Sequence, residues 1–258
     1  MEKYLEFKRN GLTLRGMLHL PENSEKKPPV VILLHGFSGD RNAANFSLTR
    51  LSRLLAKNGV ASVRFDFLHN GESDGDFSEF TLSGGIADAC AMLDFVCSLD
   101  EVDNQRIALS GISMGAAIAA SAAAKKKDLI HTLCLCCPAS NSAEDARNKN
   151  VKGIDISDIF EKGYCDIGGL QLGKCYYDDA LTLDFYELAK GYDKNVLLVH
   201  GGQDDVAPIK NSKKYLEIYG ENARLEVIQG ADHSFSSLVT NGQRLKLMND
   251  YLVAELLG

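Results

Sequence analysis

No basic stripe runs through this 258-residue chain, and its formal net charge is −7. That excludes the usual nucleic-acid binder, whose affinity for a phosphate backbone needs clustered Lys and Arg. The single run of like charge, in "AAAKKKD" (122–128), reads as a solvated helix end where cations complement the dipole. Also missing is any uninterrupted apolar run long enough to cross a bilayer, so no membrane partner is expected. The start, "MEKYLEFKRNGLTLRGMLHL", carries charge throughout and has no secretory pattern. Seven cysteines are present, but not as the two CxxC pairs of a zinc site; "LCLCC" (133–137) is a single close-set cluster. Cys90, Cys97, Cys134, Cys136 and Cys137 fall in apolar segments, as free thiols do in a reducing compartment. Together these absences point to a cytoplasmic protein without a metal. Internal repeats and low-complexity linkers are missing too.

What is there is an alternation of strand-like and helix-like segments. "YLEFKRNGLTLRGMLHLP" is two alternating runs around Asn10-Gly11, the turn pair of a hairpin. "PPVVILLHG", "VASVRFDF", "RIALSG", "HTLCLCCPA", "NVLLVHG" and "ARLEVIQG" read as buried strands. Between and after them lie helical patterns: "NAANFSLTRLSRLLAKNG", "TLSGGIADACAMLDFVCSLD", "SMGAAIAASAAAKKK", "IKNSKKYLEIYG" and "SSLVTNGQRLKLMNDYLVAELL". Such alternation implies right-handed crossovers, hence an α/β fold with a mainly parallel, eight-stranded twisted sheet. Helices would cover both faces, and the amino-terminal hairpin would add an antiparallel edge. Residues 140–193 break the rhythm and are too long for a plain connection. The chain therefore divides into a core of 1–139 and 194–258 and an inserted cap of 140–193.

Ligands of open parallel sheets sit at the carboxyl ends of the strands. There the segment Gly111-Ile112-Ser113-Met114-Gly115 matches G-x-S-x-G between a strand and a helix, the context of a nucleophile elbow. The plain alternative for Ser113 is an ordinary helix cap. A serine hydroxyl needs a base, and His233 in "QGADHSF" follows the last strand, where a loop can arch over the sheet end. His19 and His131 fall in or at the start of strands away from that end, His69 precedes the serine, and His200 ends a strand beside an acidic pair, where it suits a structural role in the turn. The imidazole in turn needs a carboxylate, for which "HGGQDD" offers Asp204, with Asp205 as the fallback. Asp232 more naturally orders its own loop. The order Ser113, Asp204, His233 is that of the α/β-hydrolases. Backbone N–H groups of Met114 and of Phe37, after "VVILLHG", are the candidates for an oxyanion hole.

Those pieces carry a resemblance. Through "LLHGFSGDR", "ASVRFDF", "GESDG", "GISMGAA", "HGGQDDVAP" and "GADHSF", the chain resembles the bacterial cinnamoyl (feruloyl) esterases of the α/β-hydrolase fold over nearly its whole length. The resemblance implies a serine carboxylesterase acting on small aromatic esters, without a cofactor, and a homodimer. It also places Asp145 and Tyr176 on cap positions that meet the phenolic end of a hydroxycinnamate, and Lys152 where relatives often carry glutamine. The nearest rival is the same machinery with another ester: a short-chain esterase, a monoacylglycerol lipase or a thioesterase.

Overall fold

The computed structural model describes residues 1–22 and 26–258. Its centre is one eight-stranded sheet. The strands are β1 (Glu2–Arg9), β2 (Leu12–His19), β3 (Pro29–Leu34), β4 (Ala61–Phe65), β5 (Asp103–Ile112) and β6 (Ile130–Cys136). Four short strands follow in the inserted segment: β7 (Asn150–Val151), β8 (Ile154–Asp155), β9 (Tyr164–Asp166) and β10 (Gln171–Gly173). The sheet is completed by β11 (Val196–Gly201) and β12 (Ala223–Ile228), in the order β1-β2-β4-β3-β5-β6-β11-β12. From β4 to β12 every pairing is parallel, while β1 pairs β2 and β2 pairs β4 antiparallel. The expected hairpin edge is in place, with Asn10 and Gly11 both at positive φ (53° and 84°). That conformation suits the right-handed twist of the two strands.

Why the central strands lack alternation is plain from their burial: all residues of β3, β4 and β11 are buried. Helices cover both faces, so neither face is left to solvent. On one side lie α2 (Leu82–Cys97) and α3 (Met114–Lys125). Ten of the twelve residues of α3 are buried, and seven of those ten are alanine or glycine. Small side chains let α3 approach both the sheet and α2 closely. On the other side α1 (Ser47–Lys57) packs against α9 (Leu238–Leu257). The apolar core is accordingly two clusters, one on each face of the sheet.

The inserted segment carries α4 (Ser142–Arg147), α5 (Ile159–Lys162), α6 (Lys174–Ala180) and α7 (Phe185–Leu188), and α8 (Lys210–Tyr219) follows β11. Two departures from expectation have local causes. The helical pattern beginning at Asn42 yields α1 only from Ser47, because Ala43, Asn45 and Phe46 adopt positive φ. Cys90 and Cys97 are half-buried rather than buried, whereas Cys165, outside the apolar runs, is buried; all seven cysteines are free. No helix among the described residues is long and apolar enough to cross a membrane.

Candidate active site

Ser113 sits at the turn between β5 and α3 with φ 57° and ψ −123°, a backbone conformation that a side-chain-bearing residue adopts only under constraint. Its neighbours show the constraint. A Cβ on Gly111 would lie 2.2 Å from the carbonyl oxygen of Gly115, and one on Gly115 would lie 2.4 Å from the carbonyl oxygens of Leu34 and His35. Both glycines are therefore steric requirements of the crossing. The Ser113 N–H donates to Cys136 O (2.9 Å), and its carbonyl accepts from Ala139 N–H (3.1 Å), tying the elbow to the end of β6.

His233 and Asp204 meet it there. Ser113 Oγ lies 3.0 Å from His233 Nε2, and His233 Nδ1 lies 2.7 Å from Asp204 Oδ2. A carboxylate only accepts, so the imidazole proton belongs on Nδ1 and the Nε2 lone pair faces the serine hydroxyl. Asp204 is buried to within 1% of its side chain. Burial opposes its ionisation, but hydrogen bonds from His200, His233 and the Ala207 N–H outweigh that and hold its carboxyl far below the usual range. Of the alternatives, Asp205 is exposed, and Asp232 binds the backbone and hydroxyl of Ser236 within its own loop.

The turn after β3 comes up beside the serine: a Cβ on Gly36 would lie 3.3 Å from Ser113 Cβ. Its shape is held by His35, whose Nε2 accepts from Phe67 N–H (3.1 Å) and whose Nδ1–H donates to Gly36 O (2.8 Å). Burial keeps that imidazole neutral, pushing its pKa down. One step on, Arg41 pairs with the fully buried Asp66, so the first and second motifs of the site are clamped together. Among the described residues, the N–H groups of Phe37 and Met114 have no acceptor, and both residues line the cavity that opens over Ser113.

That cavity, about 530 Å³, is the size of a small-molecule site. Asp145, Val151, Lys152 and Tyr176 of the inserted segment line it together with Ser113 and His233. Tyr176 is buried and its ring packs on Phe37, with centroids 5.0 Å apart. Burial and then the charges of Asp145 and Asp179 raise its phenol well above the ordinary value. Asp145, half-buried, accepts from Asn141 Nδ2 (2.7 Å), and burial moves its carboxyl up. Lys152 Nζ reaches Ser38 Oγ at 3.3 Å.

Of two further contributors, one has the structural role expected of it and the other was missed by reading the sequence. His200, expected to serve the turn after its strand, is buried with Nε2 2.9 Å from Ala207 O and 3.4 Å from Asp204, and Nδ1 2.7 Å from Ser212 Oγ. It braces the loop that carries the carboxylate. Arg244 lines the cavity from α9; its signal was a charged residue within the buried stripe of Asn241, Leu245, Met248 and Leu252. Cys137, His200 and Asp204 bring ligand-type atoms within 4.8 Å of one another. Those of His200 and Asp204 are already committed to hydrogen bonds, and burial raises the Cys137 thiol well above its ordinary value, so the group is a brace rather than an open cation site.

A sequence profile described as the alpha/beta hydrolase fold matches residues 29–182. The chain belongs to the α/β-hydrolase fold family. It is similar to a structure of Est1E from Butyrivibrio proteoclasticus with ferulic acid bound, at 27% identity and a TM-score of 0.89, covering 98% of this chain and 100% of that one. An uncharacterised protein of Mycobacterium tuberculosis is 27% identical over 246 residues, 94% of this chain and 76% of its own. The quorum-quenching protein AidA of Acinetobacter baumannii is 25% identical over 51% of this α/β-hydrolase and 42% of its own length. The α/β-hydrolase fold and the likeness to Est1E support a hydrolase.

Proposed function

We propose that this hydrolase is a cytoplasmic serine carboxylesterase for hydroxycinnamoyl esters such as those of ferulate, caffeate and p-coumarate. The observation that carries the reading is the hydrogen-bonded line Ser113–His233–Asp204 at the floor of a cavity walled by Tyr176 and Asp145. The likeness to a ferulic-acid-bound esterase structure supports the acyl group. His233 Nε2 takes the hydroxyl proton as Ser113 Oγ attacks the ester carbonyl, and Asp204 stabilises the imidazolium. The carbonyl electrons move to an oxyanion received by the Phe37 and Met114 N–H groups. Collapse breaks the C–O bond to the alcohol, which leaves with the proton from His233. Water, deprotonated by the same His233, then attacks the acyl-serine; the acid departs and Ser113 regains its proton. The chemistry needs no metal or organic cofactor. In the bound state the phenol end of the acyl group meets Tyr176 and Asp145.

A serine-directed phosphonate is expected to label Ser113 and abolish hydrolysis. Tyr176→Phe and Asp145→Asn should each raise KM for methyl ferulate about tenfold, the scale of one hydrogen bond to a polar partner, while p-nitrophenyl butyrate is little affected. Labelling elsewhere would remove the nucleophile. Equal effects on both esters would remove the aromatic assignment and leave an aliphatic esterase.

A further inference from the structure

The reaction as derived leaves Arg244 unused. Its side chain is 2% exposed, yet it lines the cavity over Ser113. Nη2 donates to Asn241 Oδ1 (2.8 Å), the guanidinium lies 4.6 Å from the centre of the Phe235 ring, and Nε is buried with no hydrogen-bond partner. No carboxylate among the described residues pairs with it. The two acids of the cavity wall are occupied elsewhere: Asp145 with Asn141, and Asp40 at the rim with the Asn42 N–H. A buried guanidinium without a counter-charge is costly, and such a group persists where something else supplies the negative charge. The other buried arginine, Arg64, also has an unpartnered Nε and, among the described residues, no paired carboxylate, but it donates to Arg41 O, Asn42 Oδ1 and His19 and does not line this cavity; what sets Arg244 apart is its place in the cavity wall.

The surroundings agree in sign. Ser47, first residue of α1, lines the same end of the cavity, and no side chain caps that helix start. The Ser47 and Leu48 N–H groups there are taken by Ala44 O and Asn42 O, and what the helix start adds at this end is the positive end of its dipole. This end also lies across the sheet from Tyr176. Tyr176 belongs to the apolar cluster that contains Phe80 and Leu82, whereas Leu48, Phe235 and Leu245 around Arg244 belong to the cluster on the opposite face. Ser113 stands between the two ends.

We infer that the Arg244 end of the cavity is a carboxylate subsite for the alcohol half of the ester. The inference rests on the proposed esterase reading for which half lies where: with the acyl group against Tyr176, the leaving alcohol projects towards Arg244. The substrate class is then hydroxycinnamoyl esters of hydroxy acids rather than of neutral alcohols or sugars. After cleavage, the product alcohol keeps its carboxylate on the guanidinium.

Feruloyl glycolate and feruloyl glycolamide differ in that one charge at nearly equal size, so the ratio of their kcat/KM values isolates it. The wild-type ratio is expected to favour the glycolate at least about tenfold, the scale of one charge-assisted hydrogen bond. Arg244→Gln should bring the ratio near one, and Arg244→Lys should keep part of it. A wild-type ratio of one, or one favouring the amide, overturns the subsite without any variant. So does a preference that survives Arg244→Gln. Titration calorimetry with the Ser113→Ala protein separates this from the esterase reading. If neither ester is hydrolysed but the glycolate still binds about tenfold tighter, and Arg244→Gln removes the difference, the reading of function fails and the subsite stands. Equal affinities there overturn the subsite itself.

Discussion

Ser113 is held by its neighbours more than by its own bonds, and substitutions at those neighbours show how. Gly115→Ala would push a methyl group against two backbone oxygens at 2.4 Å, neither of which can rotate away. Overpacking of that kind costs about 1–3 kcal/mol, to be read as a lower denaturant midpoint, and the displaced elbow should also lower kcat. Asp204→Asn is a different loss: geometry is kept, but the amide no longer fixes the Nδ1–H tautomer or the imidazolium. A fall in kcat of about 10³–10⁴ is expected with ferulate or butyrate esters. A drop of less than tenfold would mean that another acid serves His233. At this scale the sequence was informative because the chemistry demands rare residue types at set places. A glycine pair around a serine, a histidine after the last strand and an acid after the one before it leave few choices. Arg244 was harder to see, since it acts through burial and partners that only the folded chain brings close; the structural role of His200 at its turn was legible, its approach to Asp204 was not.

At the scale of elements, the parallel strands and their helices were legible in the continuous apolar runs and the helical spacing. The start of α1 was not, because the positive φ values at Ala43, Asn45 and Phe46 come from the loop's fit around the cavity rather than from local preference. The inserted segment is built from helices of four to seven residues and two-stranded ribbons, too short to leave a periodic signal. The loop that carries Phe37 is secured by Arg41 on Asp66. Arg41→Ala would leave that buried carboxylate without its counter-charge, held only by the backbone N–H groups of residue 41 and Glu72, at a cost of about 3–5 kcal/mol, with the catalytic rate falling as the loop loosens. Unchanged stability by urea unfolding would show that the clamp is not holding the loop. In contrast, Gly242 lies in the first half of α9 with open space around its Cα. Gly242→Ala should stabilise the protein by about 0.5–1 kcal/mol without touching catalysis, through helix propensity alone.

For the molecule as a whole, His19 joins His35 as a buried histidine that links stability to pH. His19 accepts from Arg64 Nη2 through Nε2 (2.9 Å), and burial followed by the Arg64 charge lowers its pKa from 6.5 to about 4. The unfolded chain therefore binds the proton first. Stability is full above pH 6.5, declines as pH falls through that value, and reaches its lower plateau below about pH 4. The contribution is on the order of 3 kcal/mol. His19→Gln, which keeps an acceptor for Arg64 but cannot titrate, should flatten this part of the profile in urea unfolding at pH 7 and pH 4.5. A profile as steep as the wild type's would assign the acid sensitivity elsewhere.

The whole-molecule claim that matters most is that the line from Asp204 to Ser113 serves a cavity shaped for an aromatic acid. It is tested most directly by kcat/KM of the purified protein for methyl ferulate, p-nitrophenyl butyrate and a long-chain p-nitrophenyl ester, with Ser113→Ala alongside. The result expected is a clear preference for ferulate that vanishes with the serine. Serine-dependent turnover of the aliphatic esters with ferulate left intact would contradict it.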